Sequence, residues 1–413
     1  MESVLTRQVP NSNKNTRKRL SFAEVFFVLA CIFVVCIYDN LLTTTYTDKS
    51  IGTFFNAVIV IISLLYFFFD SLLKKEISRS IVVCVIVICS IVVSTILNNS
   101  NVSAAATKSG ILLFAVVFAS NHSIEDFASK NRIIVGIISV FTLLLNLFYL
   151  CGADLSFLPL VSNTKGTLFY LGFVGNVHAN STSILRLSGI WWEPGVYAAY
   201  LVSSIALELY ISKKINVFYI SILILSLILT FSTTGYITLF ILFISYLFSF
   251  NGKRRFYPYL IVAVSLLITA IVVFSNSDVR ELLFSKIYER DESFKDRLYS
   301  IFGNFVVIGQ NPLFGMGTIK SSEIITNFMI ANGSTRSFSN LNTPLAYFAV
   351  FGLLPGFYFL VKVFGFVNCL GNTKIQKILL LITFLLILMS TNYLFSLFFT
   401  ALFFLRRRTN CHK

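Results

Sequence analysis

The chain has 413 residues, 56% of them hydrophobic and 12% charged, with a mean hydropathy of +0.82. Soluble domains carry about a quarter charged residues, so this composition excludes a soluble enzyme, a disordered chain and a disulfide-stapled secreted module, and points to one polytopic membrane domain over 1–413. The net charge of +15 sits in short loops between apolar runs, which is the positive-inside pattern of a membrane protein and not the basic face of a nucleic-acid binder.

The N-terminal basic stretch Arg7, Lys14, Arg17, Lys18 and Arg19 precedes an apolar run with no small-residue cleavage site. It reads as the flank of a retained first helix rather than a cleaved signal. A membrane helix needs about 20 mostly apolar residues. Runs of that kind occupy 20–38, 51–69, 80–97, about 104–121 (with Lys108 inside it), 133–151, 194–212, 215–231, 235–250, 257–275 and 343–364. The last run, 378–405, is interrupted by Ser390-Thr391-Asn392 and reads as one tilted helix or a short pair. With the N-terminus inside, the loops carrying Lys74/Lys75/Arg79, Lys130/Arg132, Lys213/Lys214, Lys253/Arg254/Arg255 and Lys362/Lys374/Lys377 all fall on the cytoplasmic side. The tail Arg406-Arg407-Arg408 joins them only if the number of crossings is even. The fold class expected is therefore all-α and polytopic, with about 12 transmembrane helices (11 if 378–405 is one helix) and both termini cytoplasmic.

Two long loops then face outside, 152–193 and 276–342. Both are rich in charge but neutral: Asp154, Lys165, Arg186 and Glu193 cancel in the first, and seven basic residues balance seven acidic ones in the second. Such lengths exceed what a connector needs, so function is expected there. The seven cysteines lie mostly in or beside apolar runs without a CxxC pair, and three histidines with no HExxH argue against a protein-held metal.

The first loop closes on Arg186-x-x-Gly189-x-Trp191-Trp192-Glu193-Pro194-Gly195. Pro194 suits a first helical position and Glu193 suits a helix N-terminus; the indoles suit an interfacial belt. The same residues suit a phosphate-linked sugar. Arginine forks onto phosphate oxygens, aromatic faces stack on sugars, and a carboxylate can take the proton of an attacking hydroxyl. In the second loop Arg290 and Arg297 fall two turns apart on one face if the segment is helical. The run Ile301, Phe302, Phe305, Val306 and Ile308 beyond them makes a face for lipid or other helices. Asn311-Pro-Leu-Phe-Gly315-Met-Gly317 reads as a turn with two permissive glycines, which can also aim N–H groups at an anion. Ser232-Thr233-Thr234-Gly235 reads as a plain short turn, and His178 as a solvated loop histidine.

Arg186-x-x-Gly189, Glu193-Pro194-Gly195, Arg297 followed by Asn311-Pro312-x-x-Gly315-x-Gly317, and Asn342…Gly352, in that order and in those loops, resemble the O-antigen polymerase and O-antigen ligase superfamily. The resemblance implies a metal-independent membrane glycosyltransferase of GT-C-like architecture, with no cofactor, in the cytoplasmic membrane of a bacterium. It implies a lipid-linked oligosaccharide, carried on undecaprenyl pyrophosphate, as substrate on the outer face, within a lipopolysaccharide or capsule biosynthesis pathway. Its partners would be membrane lipids, with a chain-length regulator and a flippase of the same pathway, and no nucleic acid. By match, Arg186 and Arg297 take the catalytic arginine roles and Glu193 that of base or organiser. Arg290, Trp191, Trp192, Asn311, Gly315, Gly317 and Asn342 would contact substrate. Ligases carry a His-Asn pair where this chain has Leu341-Asn342, which favours repeat-unit polymerisation over ligation. The spacing of an arginine and a glycine eleven residues on, usual in polymerases, is not met by Arg186 or Arg297. A flippase or transporter would instead concentrate its charges at mid-membrane.

Overall fold

A computed structural model describes residues 79–162, 168–172, 175–178, 186–248, 292–333 and 342–407, with Val35, Val58 and Ile61. Apart from Val35, Val58 and Ile61, the expected spans 20–38, 51–69 and 257–275, together with Arg290 and Leu341, lie outside these residues. The described helices are α1 (Arg79–Leu97), α2 (Val102–Asn121), α3 (Ile124–Leu150), α4 (Pro194–Ile211), α5 (Val217–Ile228), α6 (Thr233–Leu247), α7 (Glu292–Gln310), α8 (Gly317–Ala331), α9 (Thr343–Phe351), α10 (Leu353–Leu370), α11 (Lys374–Ser390) and α12 (Leu397–Phe404). Five of them, α1, α2, α3, α4 and α10, are long and apolar enough to cross a membrane, which fits a multi-pass membrane protein.

The first long loop departs from an all-α fold. It holds three short antiparallel strands in the order β1 (Leu160–Ser162), β2 (Leu168–Leu171), β3 (Asn176–His178), with Val161 opposite Phe169 and Tyr170 opposite Val177. Open strand edges are excluded only from lipid. This sheet follows the C-terminal end of α3 and rests on it through Gly175, where an added Cβ would stand 2.9 Å from Thr142 Oγ1.

The N-termini are built by familiar caps. Asn101, Asn216, Ser232, Asn342 and Ser396 each accept a backbone N–H of the first turn that they start. Ser123 with Asp126, and Thr373 with Gln376, form reciprocal capping boxes. The core is aromatic. Tyr200 of α4 packs at 4.2 Å on Phe398, and Phe366, Phe384 and Phe403 meet edge to face between α10, α11 and α12.

One expected span is broken, and the run left open between one helix and two is a pair. The run 343–364 is two helices joined at Gly352, whose φ of 87° and ψ of −174° lie in a region that essentially only glycine occupies. The run 378–405 is also two helices, α11 and α12, with 391–396 unwound between them. Thr343 Oγ1 donates to Thr391 O (2.9 Å) and accepts from Tyr393 N (2.7 Å), stitching this link to the start of α9. Lys108 completes it: the side chain is fully buried, its Nζ donates to Leu394 O at 2.6 Å, and it lies 4.5 Å from the Tyr347 ring centroid. Unwound carbonyls inside a membrane domain need a donor, and this lysine supplies one while resting on a π face. Lys108→Met is expected to leave that carbonyl unmet and cost about 1–3 kcal/mol. The loss should appear as a lowered melting temperature of the purified protein.

The bundle has two distinct ends. At one, Glu208 of α4 is 2% exposed and clamps three neighbours. Its Oε2 accepts from Arg132 Nε and Ser212 Oγ, and its Oε1 from Asn216 N, all at 2.8 Å. A deep carboxylate is thereby assigned to holding α3, α4 and α5 together, not to an ion path. At the other end the described parts of both long loops meet.

Candidate functional site

Helix α5 ends at Ile228, and three residues on Phe231 takes a positive φ of 48°. The turn into α6 then leaves the carbonyls of Thr230 and Phe231 outside the helical ladder. Arg186 answers them: Nε donates to Thr230 O at 3.0 Å and Nη2 to Phe231 O at 3.2 Å, while Leu187 N donates to Leu229 O. A cation at a helix C-terminus is also favoured by the helix dipole. Arg186 is therefore a cap as well as a candidate anion ligand. Burial pulls its guanidinium pKa down, and the nearby Glu193 and Tyr236 push it back up.

Arg297 reaches the same turn from the second loop. It sits in the second turn of α7, and its Nη1 donates to Thr234 Oγ1 at 3.0 Å. The two loops thus bring both expected arginines onto one stretch, Thr230–Thr234. That stretch carries the signal that sequence reasoning passed over. Ser232-Thr233-Thr234-Gly235 reads as a plain turn because its work is done by backbone carbonyls and one hydroxyl. Gly235 could have flagged it: an added Cβ would sit 2.8 Å from Ala198 Cβ, so this turn is pressed against α4. Among the described residues the one ion pair within 4 Å is Arg132–Glu208, so neither site arginine is neutralised by such a pair there.

Glu193 is the N-cap of α4 by backbone geometry, with Pro194 at the first helical position, but its side chain makes no capping bond. Its carboxylate is close enough to Arg186 to act on it electrostatically. Trp191 and Trp192 separate. Trp191 is fully buried, stacked on Tyr197 (centroids 5.2 Å, 20°) and packed on Tyr200 (4.2 Å). Gly189, at φ 61°, lets the chain fold back over this indole, and a Cβ there would stand 2.8 Å from it. Trp192 is only partly buried.

In the turn that holds Asn311, Gly315 and Gly317, four backbone N–H groups are engaged within the protein. Gly315 N donates to Asn311 O, Met316 N to Ala349 O, Thr318 N to Ser100 Oγ and Phe314 N to Asn311 Oδ1. Asn98 Nδ2 donates to Gly315 O (3.1 Å), and Leu353 N to Pro312 O (3.0 Å). The turn docks α7 and α8 onto the end of α1 and onto the Gly352 break. Gly315 and Gly317 have positive φ, and a Cβ on either would lie within 2.7 Å of protein atoms. Asn342 is buried and its Oδ1 accepts from Leu345 N at the start of α9.

Helix α7 is inverted in polarity. Asp296, Ser300 and Asn304 are buried at successive turns, whereas Phe302, Phe305 and Val306 are exposed. The expected lipid-facing run is there for the residues just named, while Val307, which is not part of that run, is fully buried against Ile325, Met329 and Ala349. The helix turns its polar stripe inward and carries Arg297 with it. Among the described residues no His/Cys/Asp/Glu cluster could hold a metal ion.

Residues 218–361 match a family model described as O-Antigen ligase, a stretch that includes the Thr230–Gly235 turn, Arg297, the 311–317 turn, Asn342 and Gly352 but not Arg186 or Glu193. No curated protein and no solved structure matches the chain. Members of the matched family are membrane enzymes that act on glycans. Through residues 218–361, about a third of its length, this chain is similar to the O-antigen ligase family, which supports the O-antigen ligase/polymerase superfamily.

Proposed function

We propose that the protein polymerises lipid-linked oligosaccharide repeat units into a surface polysaccharide, acting on the outer face of a bacterial cytoplasmic membrane. The observation that carries this reading is the convergence of Arg186 and Arg297 on one turn beside Glu193. The acceptor hydroxyl attacks the anomeric carbon of the donor glycan. The C–O bond to the carrier pyrophosphate breaks, the electron pair leaves with the pyrophosphate, and the hydroxyl proton passes to the Glu193 carboxylate. Arginines held by backbone carbonyls and a hydroxyl are positioned before the charge develops, which is how fixed cations lower a barrier. Trp192 takes the sugar-stacking role, with Trp191 as its buried support. The docking turn 311–317 and Asn342 act by placing α7 and α9.

Ligation of finished glycan to another acceptor is the second reading, favoured by the description of the family model. Leu341 in place of the ligase histidine counts against it. Gene deletion followed by a surface-glycan ladder separates the two. Loss of polymerase should leave single repeat units attached at the surface. Loss of ligase should leave polymer on its lipid carrier with nothing attached. Repeat units trapped on the cytoplasmic side would overturn both and favour a flippase.

A further inference from the structure

Lys362 was expected in a cytoplasmic loop, but α10 runs through it and carries it into the bundle. Its Nζ lies 4.5 Å from the ring centroid of Phe404 and 5.1 Å from that of Tyr358, one turn back on the same helix. Three residues further on, Gly365 lets the Arg406 guanidinium lie against α10, because an added Cβ would meet Arg406 Nη2 at 2.4 Å. Arg406 spends only Nη1, on Phe403 O and Leu405 O. Among the described residues the buried Tyr358 hydroxyl has no hydrogen-bond partner, and Lys362 makes no hydrogen bond. Three donors, two of them cationic, thus face one another between α1, α10 and α12 with no carboxylate paired to either cation among the described residues. Two like charges held together in a half-buried, low-dielectric place repel unless an anion joins them.

The place specifies the anion. Ile124 N donates to Arg406 O, so the group lies at the α2–α3 turn, the end of the bundle away from Arg186 and Arg297. On either side, Phe357, Val361 and Phe364 of α10 and Val83 and Ile86 of α1 are exposed apolar residues. A headgroup phosphate between the cations would leave its acyl chains along these faces.

We propose that Lys362, Arg406 and Tyr358 form a binding site for the phosphate of an anionic phospholipid, in the leaflet opposite the glycan site. Basic recesses between membrane helices take anionic headgroups in this way, each cation contributing about 1 kcal/mol. The test uses the full chain purified in detergent, with phosphatidylglycerol, phosphatidylcholine or inorganic phosphate added. Retained lipid is counted by native mass spectrometry and stability is read by thermal unfolding. Phosphatidylglycerol should be retained and should raise the melting temperature, and phosphatidylcholine should do neither. Lys362→Gln should weaken retention about fivefold. Gly365→Ala should weaken it as well, by displacing the flexible end of Arg406 without disturbing the backbone. Lys362→Arg, which keeps the charge, should retain the lipid and shows that the fold tolerates change there. Equal retention of phosphatidylcholine would overturn the proposal. So would unchanged retention in Lys362→Gln and Gly365→Ala, or inorganic phosphate alone reproducing the full stabilisation.

Discussion

Arg297→Ala is expected to reduce polymer formation by on the order of 10²–10³ while leaving the amount of folded protein unchanged. The asymmetry between the two arginines makes this the cleaner test. Arg297 is anchored by one hydroxyl, Thr234 Oγ1, on a helix whose burial rests on other residues. Arg186 also caps α5 through two carbonyls, so Arg186→Ala should lose stability together with activity. Arg297→Lys keeps the charge but loses the planar fork, and should recover only part of the rate. Thr234→Val removes the anchor and leaves the cation, so its effect should be smaller than that of Arg297→Ala. Turnover of lipid-linked repeat units in purified, reconstituted protein decides the order. Equal turnover by wild type and Arg297→Ala would remove this arginine from the mechanism.

Gly352→Ala should be the most damaging single methyl in the described structure. The backbone there sits at φ 87°, ψ −174°, and an added Cβ would stand 2.1 Å from Leu313 O, a backbone atom that cannot swing aside. Strain in that region costs about 1–3 kcal/mol before any clash is counted. The consequence also travels. Gly352 meets the 311–317 turn, that turn follows α7, and α7 carries Arg297. Gly309→Ala is the matched control, since nothing lies within 4 Å of a Cβ there. It should be neutral or stabilise by about 0.5–1 kcal/mol as a helical alanine. The fraction of monodisperse protein surviving a heat step reads both variants.

Hydropathy made the spans legible because lipid demands long apolar runs, and α1, α2 and α4 begin and end within two residues of the runs read at 80–97, 104–121 and 194–212. It did not show the break at Gly352, since one glycine scarcely alters a window average while redirecting the backbone completely. Ser390-Thr391-Asn392 did announce the gap between α11 and α12, because three polar residues leave a trace in composition. The strands of the first loop, three or four residues each, are too short for an alternating pattern to stand out. Within the candidate site, Arg186 and Arg297 could be singled out by their chemistry. The turn that joins them could not, because carbonyl oxygens belong to every residue. The separation of Trp191 from Trp192 is likewise a property of packing: only the fold says which indole meets Tyr197 and Tyr200.

Helix α7 presents phenyl rings outward and, one to two turns earlier, a cation inward. Its depth and tilt are therefore expected to respond to acyl chains packed against Phe302 and Phe305. Stretching or thinning the surrounding leaflet moves Arg297 relative to the Thr230–Thr234 turn, and the cost of such mismatch is fractions of a kcal/mol per ångström. A cation that must be placed to within half an ångström then takes its setting from the solvent it floats in. Turnover in bilayers of graded acyl-chain length should pass through a maximum, with the membrane acting as one wall of the catalytic apparatus.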